Sequence, residues 1–371
     1  MLHRGHRPAC RPPGADTCLH QAEAGREDTE VTEKSFFIIR AKDVTQRPQK
    51  SFAKELFGKL MNKYVCVVGG INLDIKGVAE SGNITSDSHP GKIIFTPGGV
   101  ARNISENLAR LGMPVYLFGC AGNDLQGELI LAETKKAGVN VQYVLKSDLC
   151  STAKYLSVSN SHGDLSYAVN DMKDSLSLIT ADYISSNSEI LESAGFIVLD
   201  TNLSQDVLQF VINFVNKNNI PVFVDTVSSA KAVVIKGLRG AIDYLSPNIH
   251  EYESLFGKTT DNKAKLRLIQ NGVFRNYKYI IVKKGKEGID IIDVENSNVS
   301  SVKGLKPDVR EPNGAGDAFN AGFIFGLMGD YDVVESSKIG ICAAYYTLMS
   351  ENSVSNEITR QKVLDLYKQK L

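Results

Sequence analysis

From Tyr64 onward, short apolar runs alternate with amphipathic stretches. "YVCVVGG" (64–70) is an apolar run ending in glycines, which predicts a buried strand. "GVARNISENLARLG" (99–112) then sets Ile104, Leu108 and Leu111 on one helical face and stops at Gly112. "PVYLFGCAG" (114–122) reads as the next strand and "QGELILAETKKAG" (126–138) as the next helix. Further strands are expected at "AGFIVLD" (194–200), "IPVFVDT" (220–226), "AIDYLSPN" (241–248) and "YIIVKKG" (279–285), with helical stretches such as 204–219 between them. Apolar strands alternating with helices predict an α/β fold, a mostly parallel sheet covered by helices on both faces. Two regions break the rhythm. Residues near 75–97 and 150–170 carry two-residue alternation, and Tyr155–Ser159 and Leu165–Val169 flank a turn at His162-Gly163. Strands that cannot join a parallel sheet are expected to form a small β lid over its active edge.

The pattern fades toward the start of the chain. Residues 1–34 hold Pro12-Pro13 and scattered Arg and His with no apolar period, and are expected to be disordered. Residues 35–63 contain a short strand-like run and an amphipathic stretch (Phe52, Leu56, Phe57, Leu60), a candidate docking helix or a remnant of a small module. Its basic excess reads as a solvated face rather than a nucleic-acid site. The region from 64 to 360 is expected to be one domain.

Composition changes the picture only by exclusion. The chain has 371 residues, 43% hydrophobic and 23% charged, with 42 basic and 42 acidic side chains, so no global charge points to nucleic acid. No apolar run is long enough to span a bilayer. The six cysteines form no C-x-x-C pair, and Cys66, Cys120 and Cys342 lie in apolar runs, the pattern of buried thiols in a reducing, cytosolic setting. "FGKTT" (256–260) resembles the end of a phosphate-binding P-loop, but Tyr252 stands where that motif needs glycine and no strand leads into it.

Candidate chemistry gathers at predicted strand ends, where open α/β sheets bind ligands. "GGINLD" puts Asn72 and Asp74 past the first strand, suited either to sugar hydroxyls or to an Asx turn. In "TPGGVARN", Gly98-Gly99 would let the backbone approach a ligand, with Asn103 at the helix start, though a plain turn is the alternative. In "SPNIHE", Asn248 and Glu251 fall on one helical face and suit either a hydrated Mg²⁺ or a capping box. Lys283 and Gly285 end a later strand, where backbone amides could face a nucleotide or simply form a hairpin. Last, "EPNGAGDAF" (311–319) sets Gly314, Ala315 and Gly316 before a helix, with Asp317 in its first turn. A helix start with small side chains can cradle an anion, and a carboxylate beside it can accept a proton. The alternative is a carboxylate that only complements the helix dipole.

The order of these motifs over residues 64–355 resembles the ribokinase-like carbohydrate kinase (pfkB) family, "GGVARNISENLARLG" with "NGAGDAF" being a specific pair of its signatures. Within it, "GGINLDIKG", "AVNDM" and "IPVFVDTVS" with its following Lys are most similar to the pseudouridine kinase branch. The resemblance implies a ribokinase-like three-layer sandwich and ATP-dependent 5′-phosphorylation of a nucleoside. It implies Asp317 as catalytic base, Gly314–Gly316 as anion hole, and Asn72, Asp74, Gly98, Gly99 and Asn103 as sugar site. Asn248, Glu251, Lys283 and Gly285 fall to the nucleotide side, with Glu251 holding Mg²⁺ through water. Asn170 and Asp171 are lid candidates for the base, and a homodimer through the lid is expected. Another nucleoside or sugar substrate, or a weakened enzyme serving as a ligand sensor, remain the alternatives. The family usually carries Asp-Thr ahead of x-G-A-G-D. Here Glu311-Pro312-Asn313 stands there, which weakens the expectation of K⁺ activation.

Overall fold

In the computed structural model, which describes residues 63–259, 261–310 and 312–371, the apolar runs form the middle of a nine-stranded sheet. The expected tail over 1–34, the 35–62 part of the extension and Glu311 lie outside the described residues. The strands are β1 (Val65–Val68), β2 (Asn72–Ala79), β3 (Gly91–Gly98), β4 (Val115–Gly122), β5 (Val144–Ser147), β6 (Lys154–Ser159) and β7 (Leu165–Asp171). They continue as β8 (Phe196–Asp200), β9 (Val222–Asp225), β10 (Ile242–Ser246), β11 (Tyr277–Lys283), β12 (Ile289–Asp293) and β13 (Asn298–Val302). The large sheet runs β13-β12-β11-β10-β9-β8-β1-β4-β5, with every pairing parallel except those β12 makes with β11 and β13 at one edge.

Strand alternation divides the core in two. On β1, Val65 and Val67 join one apolar cluster while Cys66 and Val68 join the other. The first cluster is covered by α1 (Val100–Arg110), α4 (Ala315–Met328) and α5 (Val333–Leu348), the second by α2 (Gln205–Asn218) and α3 (Ile249–Phe256). The result is the expected three-layer sandwich. Cys66, Cys120 and Cys342 are buried free thiols, and Cys120 Sγ lies 3.8 Å from that of Cys150.

Two features place the site. The chain leaves β1 toward β4 and β5, then returns to β8 on the other side of β1, so the strand order reverses there and opens a crevice at the carboxyl ends. Asp200 is buried at the end of β8, beside β1. Its Oδ2 accepts from the backbone N–H of Gly70 (2.8 Å) and of Ala101 (3.1 Å), and its Oδ1 from that of Asn202 (3.0 Å). One carboxylate thus ties the end of β1 to the start of α1. Over the crevice stands the small sheet β3-β2-β6-β7, formed by the stretches that the two-residue alternation marked.

The helix that carries Asp317 is anchored by aromatic packing. Phe323 is fully buried, with its ring centroid 6.0 Å from Phe223, 5.5 Å from Tyr244 and 6.0 Å from Phe319. Phe323→Ala should lower stability by about 3–5 kcal/mol. Denaturant unfolding measures it, and a loss below about 1 kcal/mol would mean that this anchor does not hold α4.

Candidate active site

A cavity of about 660 Å³ lies between the two sheets at the switch point. Backbone geometry shapes its floor. Gly99 has φ 100°, and a Cβ there would stand 2.3 Å from the carbonyl oxygen of Gly70. Gly314, at φ 80°, caps α4; a Cβ would come within 1.9 Å of the Ser353 carbonyl oxygen. Both positions accept only glycine without backbone movement. No side chain caps the N-terminus of α4, so its first-turn amides are left to the cavity.

Asp317 sits in that first turn, 9% exposed. Burial, reinforced by the nearby Asp225, pushes its carboxyl up to about 8; the Asn103 hydrogen bond and the Lys283 charge act the other way. Asn103 Nδ2 donates to Asp317 Oδ2 at 2.9 Å. On the opposite side the Lys283 ammonium donates to Asp225 Oδ2 (3.1 Å) and Asn320 Oδ1 (3.4 Å). Asn320 Nδ2 also donates to Asp225 Oδ2 at 2.6 Å. The space a Cβ on Gly316 would fill lies 3.7 Å from Lys283 Nζ, so the ammonium sits beneath the glycine turn.

Most of the residues singled out from the sequence converge here. Asn72, Asp74, Gly99, Asn103, Asn170, Asn248, Glu251, Lys283, Gly285, Gly314, Gly316 and Asp317 all line the cavity. Asn72 Nδ2 donates to Asp74 Oδ1 at 2.7 Å. Gly98 is not a lining residue, but a Cβ on it would collide with the Asp74 carboxylate at 2.4 Å, so its bareness makes room for Asp74. Ala315 opens α4 without lining the cavity. Asp171 is exposed and is not brought to it. Neighbouring residues of β7 point to opposite faces, so the strand that turns Asn170 inward turns Asp171 outward.

Glu251 and Asn248 form a full capping box on α3. Asn248 Nδ2 donates to Glu251 Oε1 (2.6 Å), while Glu251 Oε2 accepts from the Asn248 backbone (2.8 Å) and from Thr226 Oγ1 (2.5 Å). The box fixes the carboxylate at the cavity wall. Among the described residues no group of three or more His, Cys, Asp or Glu side chains could hold a metal by itself.

Sequence reasoning missed Tyr155, Met172, Asn202, Asp225, Lys231 and Ser353, which also line the cavity. Asp225 ends a strand that was recognised, so the strand-end rule could have found it. Asn320 follows Asp317 by one turn, a spacing equally open to inspection. Lys231, whose ammonium contacts Asn202 Oδ1, has its proton affinity lowered by burial, and only the fold brings it to the site.

Residues 62–359 match the pfkB family carbohydrate kinases. The chain is similar to the pseudouridine kinase of Escherichia coli (strain K12), 32% identical over 308 residues that cover 82% of this chain and 96% of that one. It is 35% identical over 292 residues to YeiI, an uncharacterised sugar kinase of the same strain, covering 76% of this chain and 77% of that one. In fold it is similar to the Arabidopsis thaliana ribokinase structure complexed with ribose and ATP, with a TM-score of 0.69, 22% identity and coverage of 83% and 99%. The fold is therefore ribokinase-like, and the chain belongs to the pfkB family of carbohydrate kinases.

Proposed function

We propose that this kinase transfers the γ-phosphoryl group of ATP to the 5′-hydroxyl of a nucleoside, pseudouridine being the substrate the reading favours. The observation that carries it is Asp317, a buried carboxylate raised to about 8 at an uncapped helix start inside a cavity that also holds Asn72, Asp74 and Asn103. The similarity to a pseudouridine kinase over most of both chains supports the substrate.

The residues suit the parts that phosphoryl transfer needs, which are positioning and charge stabilisation rather than covalent chemistry. When bound, Mg²⁺-ATP supplies the phosphoryl group and the metal charge that offsets its oxygens. Mg²⁺ keeps several waters and takes few protein carboxylates, so a single fixed carboxylate, Glu251, fits it through water. Lys283 and Gly285 line the same cavity, and the free amides at the start of α4 would offset charge on the phosphoryl oxygens. Asn72, Asp74 and Asn103 hold the ribose hydroxyls, and Asn170, on the small sheet, contacts the base. Asp317 takes the proton of the 5′-hydroxyl as it attacks. Closure of the small sheet excludes water, which would otherwise accept the phosphoryl group. Glu311-Pro312-Asn313 stands where the family resemblance implies Asp-Thr and a monovalent-cation site, so turnover is expected to depend little on K⁺.

The small sheet supports a homodimer. One face lines the cavity with Asp74, Lys76, Tyr155 and Asn170. The other carries the cross-strand row Phe95, Ile75, Leu156 and Val169, then Ile93 and Tyr167, and Ile93 is 70% and Tyr167 65% exposed. An apolar face of this kind suits a second copy of the chain better than water. Sedimentation should give a dimer, and Phe95→Asp a monomer; a wild-type monomer at micromolar concentration would refute the pairing.

Turnover is tested against pseudouridine, uridine, inosine, adenosine, ribose and fructose 6-phosphate with Mg²⁺-ATP. Pseudouridine should give the highest kcat/KM. Preference for a sugar, which the likeness to a sugar kinase would favour, overturns the substrate, and tight binding without turnover of any compound points to a sensor. Asp317→Asn should lower kcat by about 10²–10⁴-fold with the fold intact. Because only the ionised carboxylate accepts a proton, kcat/KM should climb with pH up to about 8 and level above it. Near-normal turnover in the asparagine variant removes Asp317 from the chemistry.

A further inference from the structure

Arg102, one residue before Asn103, is 4% exposed and does not line the cavity. Its Nη1 donates to Asn103 Oδ1 at 3.1 Å and to the Pro97 carbonyl oxygen of β3 at 3.4 Å. Its Nε donates to Thr134 Oγ1 at 3.1 Å, and its Nη2 pairs with Glu106, which Arg110 also holds at 2.6 Å. Thr134 in turn donates to the Ile130 carbonyl at 2.7 Å. The guanidinium is therefore fixed on several sides before it reaches Asn103.

The geometry points to Arg102 as a positioning residue that sets which way the Asn103 amide faces Asp317. A primary amide has one accepting and one donating end, and turning it over exchanges them. Arginine only donates, so the amide oxygen must face Arg102 and the NH₂ must face Asp317 Oδ2. In that orientation the amide stabilises the ionised carboxylate. Turned over, it would set an oxygen against the carboxylate and favour the protonated acid, which cannot serve as base. The Pro97 contact adds a second input. Pro97 belongs to a strand of the small sheet, so displacement of that strand acts on the same guanidinium that orients Asn103. Sheet position and base ionisation share one side chain.

The charged groups around Asp317 do not replace this device. Asp225 and Asp200 oppose its ionisation, and Lys283 favours it while held to Asp225. The Asn103 donor is the side-chain hydrogen bond that favours ionisation, and its direction rests on Arg102.

The proposal rests on Asp317 being the base, and its test separates the two. Asp317 can be titrated without any substrate. Its proton affinity is raised in the folded state, so charging it costs stability as pH rises from the ordinary carboxylate range to about 8, and no further above that. The melting temperature of Asp317→Asn minus that of wild type should accordingly grow with pH and level near 8. In an Arg102→Leu background the levelling point should move alkaline by about one pH unit, and kcat/KM at pH 7 should fall about tenfold. Arg102→Lys, which keeps a donor, should recover part of both. If Arg102→Leu does not fold, Arg102→Leu with Glu106→Leu removes both buried partners together and is read the same way. A lower melting temperature with an unmoved levelling point would make Arg102 purely structural and overturn the proposal. Failure of the Asp317 reading would appear elsewhere, as turnover in Asp317→Asn.

Discussion

A carboxylate held out of water at the start of a helix, beside other carboxylates, is the constraint around which this site is arranged. Burial and the Asp225 and Asp200 charges press Asp317 toward its neutral form. The Asn103 donor, the Lys283 ammonium and the amide dipoles of α4 press the other way. The balance keeps Asp317 near neutrality, where a group can take a proton from an alcohol and release it afterwards. Each partner comes from a different element: Asn103 from α1, Asp225 from β9, Lys283 from β11, Asp200 from β8. The site thus exists only if the sheet closes in this order. Asp200 does the closing, because its three backbone contacts fix the end of β1, the start of α1 and the turn after β8.

This dependence explains what could be read from the chain and what could not. The parallel sheet was legible because buried strands such as Val65–Val68 are apolar throughout and helices such as Val100–Arg110 carry a one-sided apolar stripe. The small sheet was legible through its two-residue period and the His162-Gly163 turn. Asp317, Asn103 and Glu251 stood out because they sit beside glycines or helix starts, where local chemistry leaves a mark. Asn202 and Lys231 carry no such mark, since they reach the cavity by long-range packing, whereas Asp225 could have been found at the end of a recognised strand. Asp171 lies off the cavity for a simpler reason: it is adjacent to Asn170 on one strand, and alternation delivers only one of the two to a given face.

Steric contact also fixes the glycines of the two turns. Gly314 and Gly99 are fixed by steric contact with the backbone of Ser353 and Gly70, so their identity follows from the frame itself. Pro312 and Asn313, just ahead, line the cavity beside them.

The most direct test of the account is the ionisation of Asp317 itself, read by infrared difference spectroscopy between the wild-type protein and Asp317→Asn across a pH series. The expected result is a protonated carboxyl band that persists through neutral pH and is lost around pH 8. A carboxyl already fully ionised at pH 6 would contradict the central claim, because the balance of burial, like charge and the Asn103 contact would then not govern this group.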